Sequence, residues 1–197
     1  MTWDELLTIY ITVLPIILAS TFSTSLLKLP VLRRLRTPID GGLNMSDGRR
    51  IFGDNKSWIG AAVLICLAII LTVFWGLVNS LNPAVQAHNW LYSVHSNTFT
   101  YNMVAGALLG LAYIVAELPN SFMKRRLRIA PGAVLSGMRG IPNIIIDHTD
   151  SVIGAAIVLW YLCRLTFVEF MVIIVVGGAT HLIVNILLVR VGVKKNI

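Results

Sequence analysis

The sequence predicts an all-α, polytopic membrane protein with about five transmembrane helices, folded as a single domain over residues 1–197. Two observations lead to this prediction. Hydrophobic residues make up 56% of the chain and charged residues only 13%, whereas a soluble globular domain carries about 25% charged residues. The apolar residues also fall into separate runs, each close to the roughly 20 residues that a helix needs to cross a bilayer.

The five predicted spans are separated by polar segments. The second half of the first span, Ser20–Ser25, is rich in Ser and Thr, so this part is expected to face protein rather than lipid. No Asp, Glu, Lys or Arg occurs from Ser57 to Ala116, a stretch too long for one helix, and polar residues divide it into two spans. The predicted spans are about Leu6–Leu27, Trp58–Leu81, Tyr101–Leu118, Ile141–Leu162 and Phe170–Val189.

Basic residues predict the orientation, since Lys and Arg favour the cytoplasmic side of a membrane. They gather in the first and third connections and are absent from the second. We therefore expect a multi-pass protein of the cell membrane with its N-terminus outside, its C-terminus cytoplasmic, and cytoplasmic connections at about residues 28–57 and 119–140. The basic residues of these two connections are Lys28, Arg33, Arg34, Arg36, Arg49, Arg50 and Lys56, and then Lys124, Arg125, Arg126, Arg128 and Arg139.

Two carboxylates interrupt the fourth span near its start. Asp147 and Asp150 lie at positions i and i+3, so on a helix both side chains share one face. An acid inside a membrane costs a few kcal/mol or more and usually marks a functional site. Adjacent carboxylates repel unless a cation neutralises them, and carboxylates with substrate phosphates are typical ligands of Mg²⁺. The structural alternative is an interfacial salt bridge to Arg125, Arg126 or Arg139.

A dense group of cations precedes the acid pair by about twenty residues. It reads Lys124-Arg-Arg-Leu-Arg128. Such a group can be a topology signal that contacts anionic lipid headgroups, but its place directly before an acid pair favours phosphate and metal chemistry at the membrane surface. Pro119 is expected to end or kink the third span, after which Asn120 or Ser121 can cap a short helix that bears the cations.

A glycine-containing segment, Asp47–Gly60, ends the first connection. Glycines let the backbone approach a phosphate, and Lys56 adds a positive charge beside it. Ser57 can cap the helix that follows. The segment lacks the Walker A pattern, and a basic flank with a glycine turn explains it about as well as a phosphate site does.

Three more polar residues lie in the last two spans. His148 is offset from the face of the acid pair and is expected to be an interface residue. His181 and Asn185 are four residues apart, so they share a helix face. They are expected to form a polar seam between helices, with the alternative that they orient the site residues.

Three blocks of sequence together resemble the CDP-archaeol synthase family of membrane cytidylyltransferases, relatives of the phosphatidate cytidylyltransferases. The first is Pro38-Ile-Asp-Gly-Gly42 with Asp47-Gly-Arg-Arg-Ile-Phe-Gly-Asp-Asn-Lys-Ser-Trp58, similar to the family's Pro-Ile-Asp, Asp-Gly-Arg and Gly-Asp-Gly-Lys-Thr-Trp-Arg-Gly pattern. The second is Glu117-Leu-Pro-Asn-Ser-Phe-Met-Lys-Arg-Arg126 with Pro131-Gly132. The third, Asp147-His-Thr-Asp150, is similar to the family's Asp-Gln-x-Asp.

The chain departs from the family pattern at a few positions. Asn55, Ser57 and Ile59 stand where the pattern has Gly, Thr and Arg, and the missing Arg removes one phosphate contact. His148 and Thr149 replace the usual middle residues of the third block. The His-Gly-Gly element of the bacterial phosphatidate cytidylyltransferases is absent. These departures leave open whether the acceptor is an ether-linked isoprenoid lipid or an ester-linked acyl lipid.

The resemblance implies that CTP and a membrane lipid phosphate, of the archaetidic or phosphatidic acid type, give a CDP-activated lipid and pyrophosphate. It implies Mg²⁺ as the cofactor, held by Asp147 and Asp150 and completed by Asp54. The basic residues would bind the triphosphate and the lipid phosphate. The implied catalytic residues are Asp147, Asp150, Lys124 and Arg125, and the implied substrate-binding residues are Asp54, Lys56, Asn120, Ser121 and Arg126.

Other classes of function remain open from the residues alone. A non-enzymatic lipid-binding or scaffold protein would bind no nucleotide. A small ion-coupled transporter would place its acids near mid-membrane, whereas Asp147 and Asp150 lie within about three turns of the cytoplasmic edge. A CDP-alcohol phosphotransferase would need an Asp-rich helix pattern that the chain lacks. No nucleic-acid partner is expected, and a homodimer is one arrangement that the sequence leaves open.

Overall fold

The computed structural model describes residues 2–131, 133 and 140–193. Helices dominate these residues, and the only β-type pairings among them are isolated bridges that join Pro38 to Ser57 and Asn44 to Arg50. The prediction of an all-α fold is confirmed. In chain order the helices are α1 (Trp3–Leu26), α2 (Pro30–Arg34), α3 (Trp58–Leu81), α4 (Pro83–Ala87), α5 (Leu91–Val94), α6 (Phe99–Arg126), α7 (Gly140–Cys163) and α8 (Phe167–Arg190).

Five of these helices, α1, α3, α6, α7 and α8, are long and apolar enough to cross a membrane, as predicted. Helix α3 starts at Trp58 as predicted, whereas α1 and α8 start earlier than predicted because of capping. Thr2 with Glu5, and Thr166 with Glu169, each form a capping box in which the Thr side chain accepts a backbone N–H and the Glu side chain accepts one in return. These boxes start α1 and α8 one turn earlier than the apolar pattern indicated.

The third span does not end at Pro119. Helix α6 continues through this proline to Arg126, since a proline removes only one helix hydrogen bond of its own and the turns after it are held by α7 and by the first connection. The connection that follows α6 therefore begins at Leu127. Within it, residues 132 and 134–139, which include the salt-bridge candidate Arg139, lie outside the described residues.

Helix α6 packs against both α3 and α7, while α8 packs on α7 and α1 packs on α3. Two glycines allow the closest approaches. A Cβ atom added at Gly106 would lie 2.7 Å from the backbone oxygen of Ala68, and one added at Gly154 would lie 2.3 Å from the backbone oxygen of Ala112. Small residues are typical of such contacts in membranes. Gly154 lies one turn beyond Asp150, so it sets how closely the acid pair approaches α6.

A network of buried and half-buried amides closes the end of the bundle where α3 joins α6. Asn89 Nδ2 donates to Asn79 Oδ1 at 3.1 Å, and Asn97 Nδ2 donates to the backbone oxygen of Gly76 at 2.8 Å. Asn102 Nδ2 donates in turn to Asn97 Oδ1 at 2.8 Å. Most charged residues of the described part lie at the opposite end, in the first connection, at the end of α6 and at the start of α7.

Candidate active site

A cavity of about 600 Å³ lies between α1, the first connection, α3, α6, α7 and α8. This volume is typical of small-molecule sites, which span about 300–1,000 Å³. The structure brings predicted site residues to it from three separate segments of the chain, together with one acid that was not predicted. The charged residues that line the cavity are Lys56, Glu117, Lys124, Arg125, Asp147 and Asp150, and the predicted Asn120 and Ser121 line it as well.

One face of α6 forms a wall of the cavity. Tyr113, Glu117, Asn120 and Lys124 follow one another at helical spacing, so they form a row along the helix. Tyr113 and Lys124 are eleven residues apart, which is about 16 Å along the helix axis. The cavity therefore extends from the charged end of α6 well into the membrane-spanning bundle.

Asn120 joins the two acids of α7. Its Nδ2 donates to Asp147 Oδ1 and to Asp150 Oδ2, both at 2.7 Å. An amide nitrogen carries two hydrogens, so it can serve both carboxylates at once. Lys124 Nζ pairs with Asp147, and Asn143 Nδ2 donates to Asp147 Oδ2 at 3.3 Å. Donors from α6 and α7 thus hold the acids side by side and offset their repulsion.

Arg125 lines the same cavity with unused donors. It is 8% exposed, yet its Nε and Nη1 make no hydrogen bond with any described residue. A buried guanidinium without partners is unfavourable, so this orientation favours an anion in the cavity. Lys56 reaches the cavity from the first connection and pairs with Glu117.

The first connection is built around the buried carboxylate of Asp40. Burial alone would raise the pKa of Asp40, but hydrogen bonds to its charged form outweigh burial and lower the pKa well below its usual range. The hydrogen bonds that Asp40 accepts fix the backbone of the segment that leads to Lys56. The donors are Arg50 Nη2 at 2.6 Å and the backbone N–H groups of Phe52 at 2.9 Å, Gly53 at 3.0 Å and Gly42 at 3.1 Å.

Gly53 brings this loop against the end of α6. Its φ of +96° is a conformation that residues with a Cβ rarely adopt. A Cβ there would lie 3.0 Å from Pro131 and 3.6 Å from Arg125 Nη1. The backbone of the first connection therefore approaches Pro131 more closely than a larger residue would readily allow, and it lies beside the Arg125 guanidinium.

Two predicted site residues do not reach the cavity. The Asp54 side chain is 72% exposed and pairs with Arg50, with 2.6 Å between Oδ1 and Nη1. Arg126 Nη1 instead donates to Asp47 Oδ1 at 2.6 Å. Neither Asp54 nor Arg126 is among the described residues that line the cavity. The prediction that Asp54 completes a metal site with the acid pair is not supported, because the loop around Asp40 turns its carboxylate outward.

The structure also brings in residues that were not assigned to the site. Glu117, Tyr113, His148 and His181 all line the cavity. Tyr113 Oη lies 3.3 Å from His181 Nε2, so His181 does form a polar contact between α6 and α8, as the seam prediction expected. Glu117 could have been found from its spacing, because it precedes Asn120 by three residues on the same face. His181 was singled out as a seam residue that could also orient the site residues, but the sequence alone could not place it at the cavity, because it does not set the rotation of α8.

The comparisons with known proteins identify the family of the chain. A family model described as CarS-like CDP-archaeol synthase matches residues 6–197. The chain belongs to this family. It is 32% identical over 168 residues to the CDP-archaeol synthase of Methanococcoides burtonii, covering 80% of this chain and 88% of that protein. It is 31% identical over 170 residues to that of Methanospirillum hungatei JF-1, covering 80% and 87%.

A solved structure of an intramembrane enzyme for archaeal membrane lipid biosynthesis has the same fold. The TM-score is 0.60 at 24% identity, over 90% of this chain and 92% of that one. The family predicted from the three sequence blocks is confirmed. Membership in it makes the protein an enzyme, a nucleotidyltransferase, and disfavours the scaffold and transporter alternatives.

Replacing Asp40 by Asn tests the loop that carries Lys56. We expect the free energy of unfolding to fall by about 2 kcal/mol, since hydrogen bonds to a charged group are lost. The pKa of Asp40 is lowered in the folded protein, so its contribution is complete above the unfolded value near 3.9 and is lost as pH falls through the folded value. The difference in unfolding midpoint between wild type and Asp40→Asn can be measured by thermal unfolding of detergent-purified protein. It should be the same at pH 7 and pH 5 and should shrink below about pH 4.

The matched control is Asp54→Asn, which removes a neighbouring but exposed carboxylate and should change the unfolding midpoint little. If the difference in unfolding midpoint between wild type and Asp40→Asn already disappears between pH 7 and pH 5, Asp40 is not the group with the lowered pKa.

Proposed function

We propose that this protein transfers the cytidylyl group of CTP to a membrane lipid phosphate, of the archaetidic or phosphatidic acid type, and releases pyrophosphate. One observation carries the proposal: a single cavity joins two adjacent carboxylates to Lys56, Lys124 and Arg125. A triphosphate that arrives with a metal ion needs cationic and anionic groups together. The relatives in the family are named for the corresponding product, CDP-archaeol.

The reaction is a substitution at the α-phosphorus of CTP. An oxygen of the lipid phosphate attacks that phosphorus, the new P–O bond forms, and the bond to the oxygen that bridges to the β-phosphorus breaks. Pyrophosphate leaves with that bridging oxygen. The lipid phosphate is already an anionic nucleophile, so the protein needs little general-base chemistry. Catalysis of this class rests mainly on positioning and on neutralising charge.

The cations of the cavity supply that neutralisation. Arg125 has Nε and Nη1 without described partners, so it is the group best prepared to receive phosphate oxygens, and its planar fork suits them. Lys56 and Lys124 are paired with Glu117 and Asp147 respectively. We expect both lysines to exchange these partners for phosphate oxygens when the nucleotide binds.

Asp147 and Asp150 fit a magnesium ion as its protein ligands. The described residues contain no group of three His, Cys, Asp or Glu side chains that could hold a metal alone. Mg²⁺ does not need one, because it is commonly held by one or two carboxylates with water and substrate phosphates. When bound, Mg²⁺ would neutralise triphosphate charge and the charge that develops on the leaving pyrophosphate. Asp54 is not proposed as a ligand.

An apolar groove beside the cavity supports a lipid acceptor. Ser20, Tyr113 and His181 line both the groove and the cavity, so the two meet at these residues. A lipid phosphate is charged at one end and apolar along its chains. This junction suits a lipid whose phosphate enters the cavity while part of one chain lies in the groove. The apolar lining includes Val13, Ile16, Ile17, Ala155, Leu159, Ile173 and Val184.

The protein is a multi-pass membrane protein with five apolar helices. We propose that it lies in the cell membrane with the cavity opening to the cytoplasm, where CTP is found. The concentration of Lys and Arg in the first connection and at the end of α6 supports this orientation. The homodimer stays an untested prediction.

Turnover of CTP labelled at the α-phosphorus tests the proposal. Purified protein with Mg²⁺ and a panel of ether- and ester-linked lipid phosphates should transfer the label to lipid and release unlabelled pyrophosphate. Asp150→Asn should lower turnover by orders of magnitude while helix content holds, because a metal ligand is lost and repulsion with Asp147 is relieved. Folded wild-type protein that transfers no label to any acceptor would refute the proposal.

A bulky residue in the apolar groove tests where the lipid chain lies. Val184 lines the groove, whereas its neighbour Ile183 is 57% exposed on the outer face of α8. Val184→Trp should raise the KM for a long-chain lipid phosphate about ten-fold, the scale of a misfitted apolar pocket, and leave the KM for CTP unchanged. The control Ile183→Trp should change neither. Equal effects of the two variants would place the chain elsewhere.

A further inference from the structure

Two arginines fasten the first connection to the end of α6. Arg126 Nη1 donates to Asp47 Oδ1 at 2.6 Å, and its Nη2 donates to the backbone oxygens of Arg50 at 2.6 Å and Arg49 at 3.2 Å. In return, Arg49 Nη1 donates to the backbone oxygen of Arg126 at 2.6 Å. We call the set of Asp47, Arg49 and Arg126 the clamp.

The clamp uses the unsatisfied end of a helix. The backbone oxygen of Arg126 is one of the last carbonyls of α6, which have no partner within the helix and lie at the negative end of its dipole. A cation there is favourable, and Arg49 supplies it. The Arg126 guanidinium is also 5.2 Å from the centre of the Phe122 ring. Its orientation is therefore determined by contacts within the protein rather than by a ligand.

The clamp lies between two sets of cavity residues. Arg126 directly follows Lys124 and Arg125, which line the cavity from α6. Asp47 and Arg49 belong to the connection that brings Lys56 to the cavity. Without the clamp, the ion pair of Lys56 with Glu117 would still join the first connection to α6. Because Lys56 is expected to leave Glu117 when the nucleotide binds, the clamp then sets the distance between Lys56 and the α6 cations.

We propose that Arg126 and Arg49 are positioning residues that hold Lys56 and Arg125 against the same nucleoside triphosphate. The inference rests on the proposed function, and it replaces the prediction that Arg126 binds substrate directly. Arg126 acts through Asp47 and through the backbone of the first connection. Its removal should loosen the connection while the five-helix bundle and the acid pair stay in place.

A set of substitutions separates positioning from direct binding. Arg126→Ala and Asp47→Ala should each raise the KM for CTP about ten-fold, with kcat and the KM for the lipid phosphate changed less than two-fold. The double variant should be no worse than Arg126→Ala alone, because Asp47→Ala removes a contact that Arg126→Ala already removes. Arg126→Lys should restore part of the loss, since Lys keeps the charge but not the planar fork. The control is Arg34→Ala, an exposed arginine of the same connection, and it should match wild type.

Different outcomes overturn the inference. If Asp47→Ala matches wild type while Arg126→Ala is impaired, Arg126 binds the nucleotide itself. If both variants lower kcat and the unfolding midpoint with the KM for CTP unchanged, the clamp is only structural. Trypsin digestion adds a readout that needs no activity: Arg126→Ala should speed cleavage within the first connection relative to Arg34→Ala. Unchanged cleavage in Arg126→Ala would contradict the inference even if the enzyme is active. A wild-type protein without cytidylyltransferase activity would count against the proposed function alone.

Discussion

The amide of Asn120, placed 2.7 Å from an oxygen of Asp147 and 2.7 Å from an oxygen of Asp150, is the contact on which the rest of the site depends. Two carboxylates on one face of a membrane helix repel and are poorly solvated. They can stay adjacent because α6 supplies this bridging donor and the Lys124 ammonium. The bridge requires α6 to continue past Pro119 and α7 to approach at Gly154. Helix continuity, small-residue packing and the charge pattern therefore support one another.

Consecutive arginines at the end of α6 do different work because successive residues of a helix point in directions about 100° apart. Arg125 faces the cavity with donors unused, whereas Arg126 faces the first connection and is engaged by Asp47 and two backbone oxygens. Neighbouring arginines of one sequence cluster thus have different roles: Arg125 faces the cavity, and Arg126 holds the first connection. The division also explains how a connection without regular strands keeps Lys56 at the cavity.

The sequence predicts best what depends on local spacing. Five apolar runs predict five spans, and the separation of Asp147 from Asp150 predicts a shared face, because both follow from helix geometry alone. The early starts of α1 and α8 were also readable, since Thr2 with Glu5 and Thr166 with Glu169 have the spacing of capping boxes. The orientation of the Asp54 side chain was not readable, because it depends on the loop that closes around the carboxylate of Asp40. The sequence also left open whether His181 reaches the cavity, because local spacing does not set the rotation of α8.

The central claim is that Asp147 and Asp150 are held together to bind a metal ion with the triphosphate. Binding of Mn²⁺, a paramagnetic substitute for Mg²⁺, can be followed by electron paramagnetic resonance in the presence of a CTP analogue with a non-hydrolysable α–β bridge. Wild type should bind Mn²⁺ and the analogue together, and Asp147→Asn with Asp150→Asn should weaken Mn²⁺ binding by about 100-fold or more at unchanged helix content. Equal Mn²⁺ affinity in the folded double variant would contradict the account.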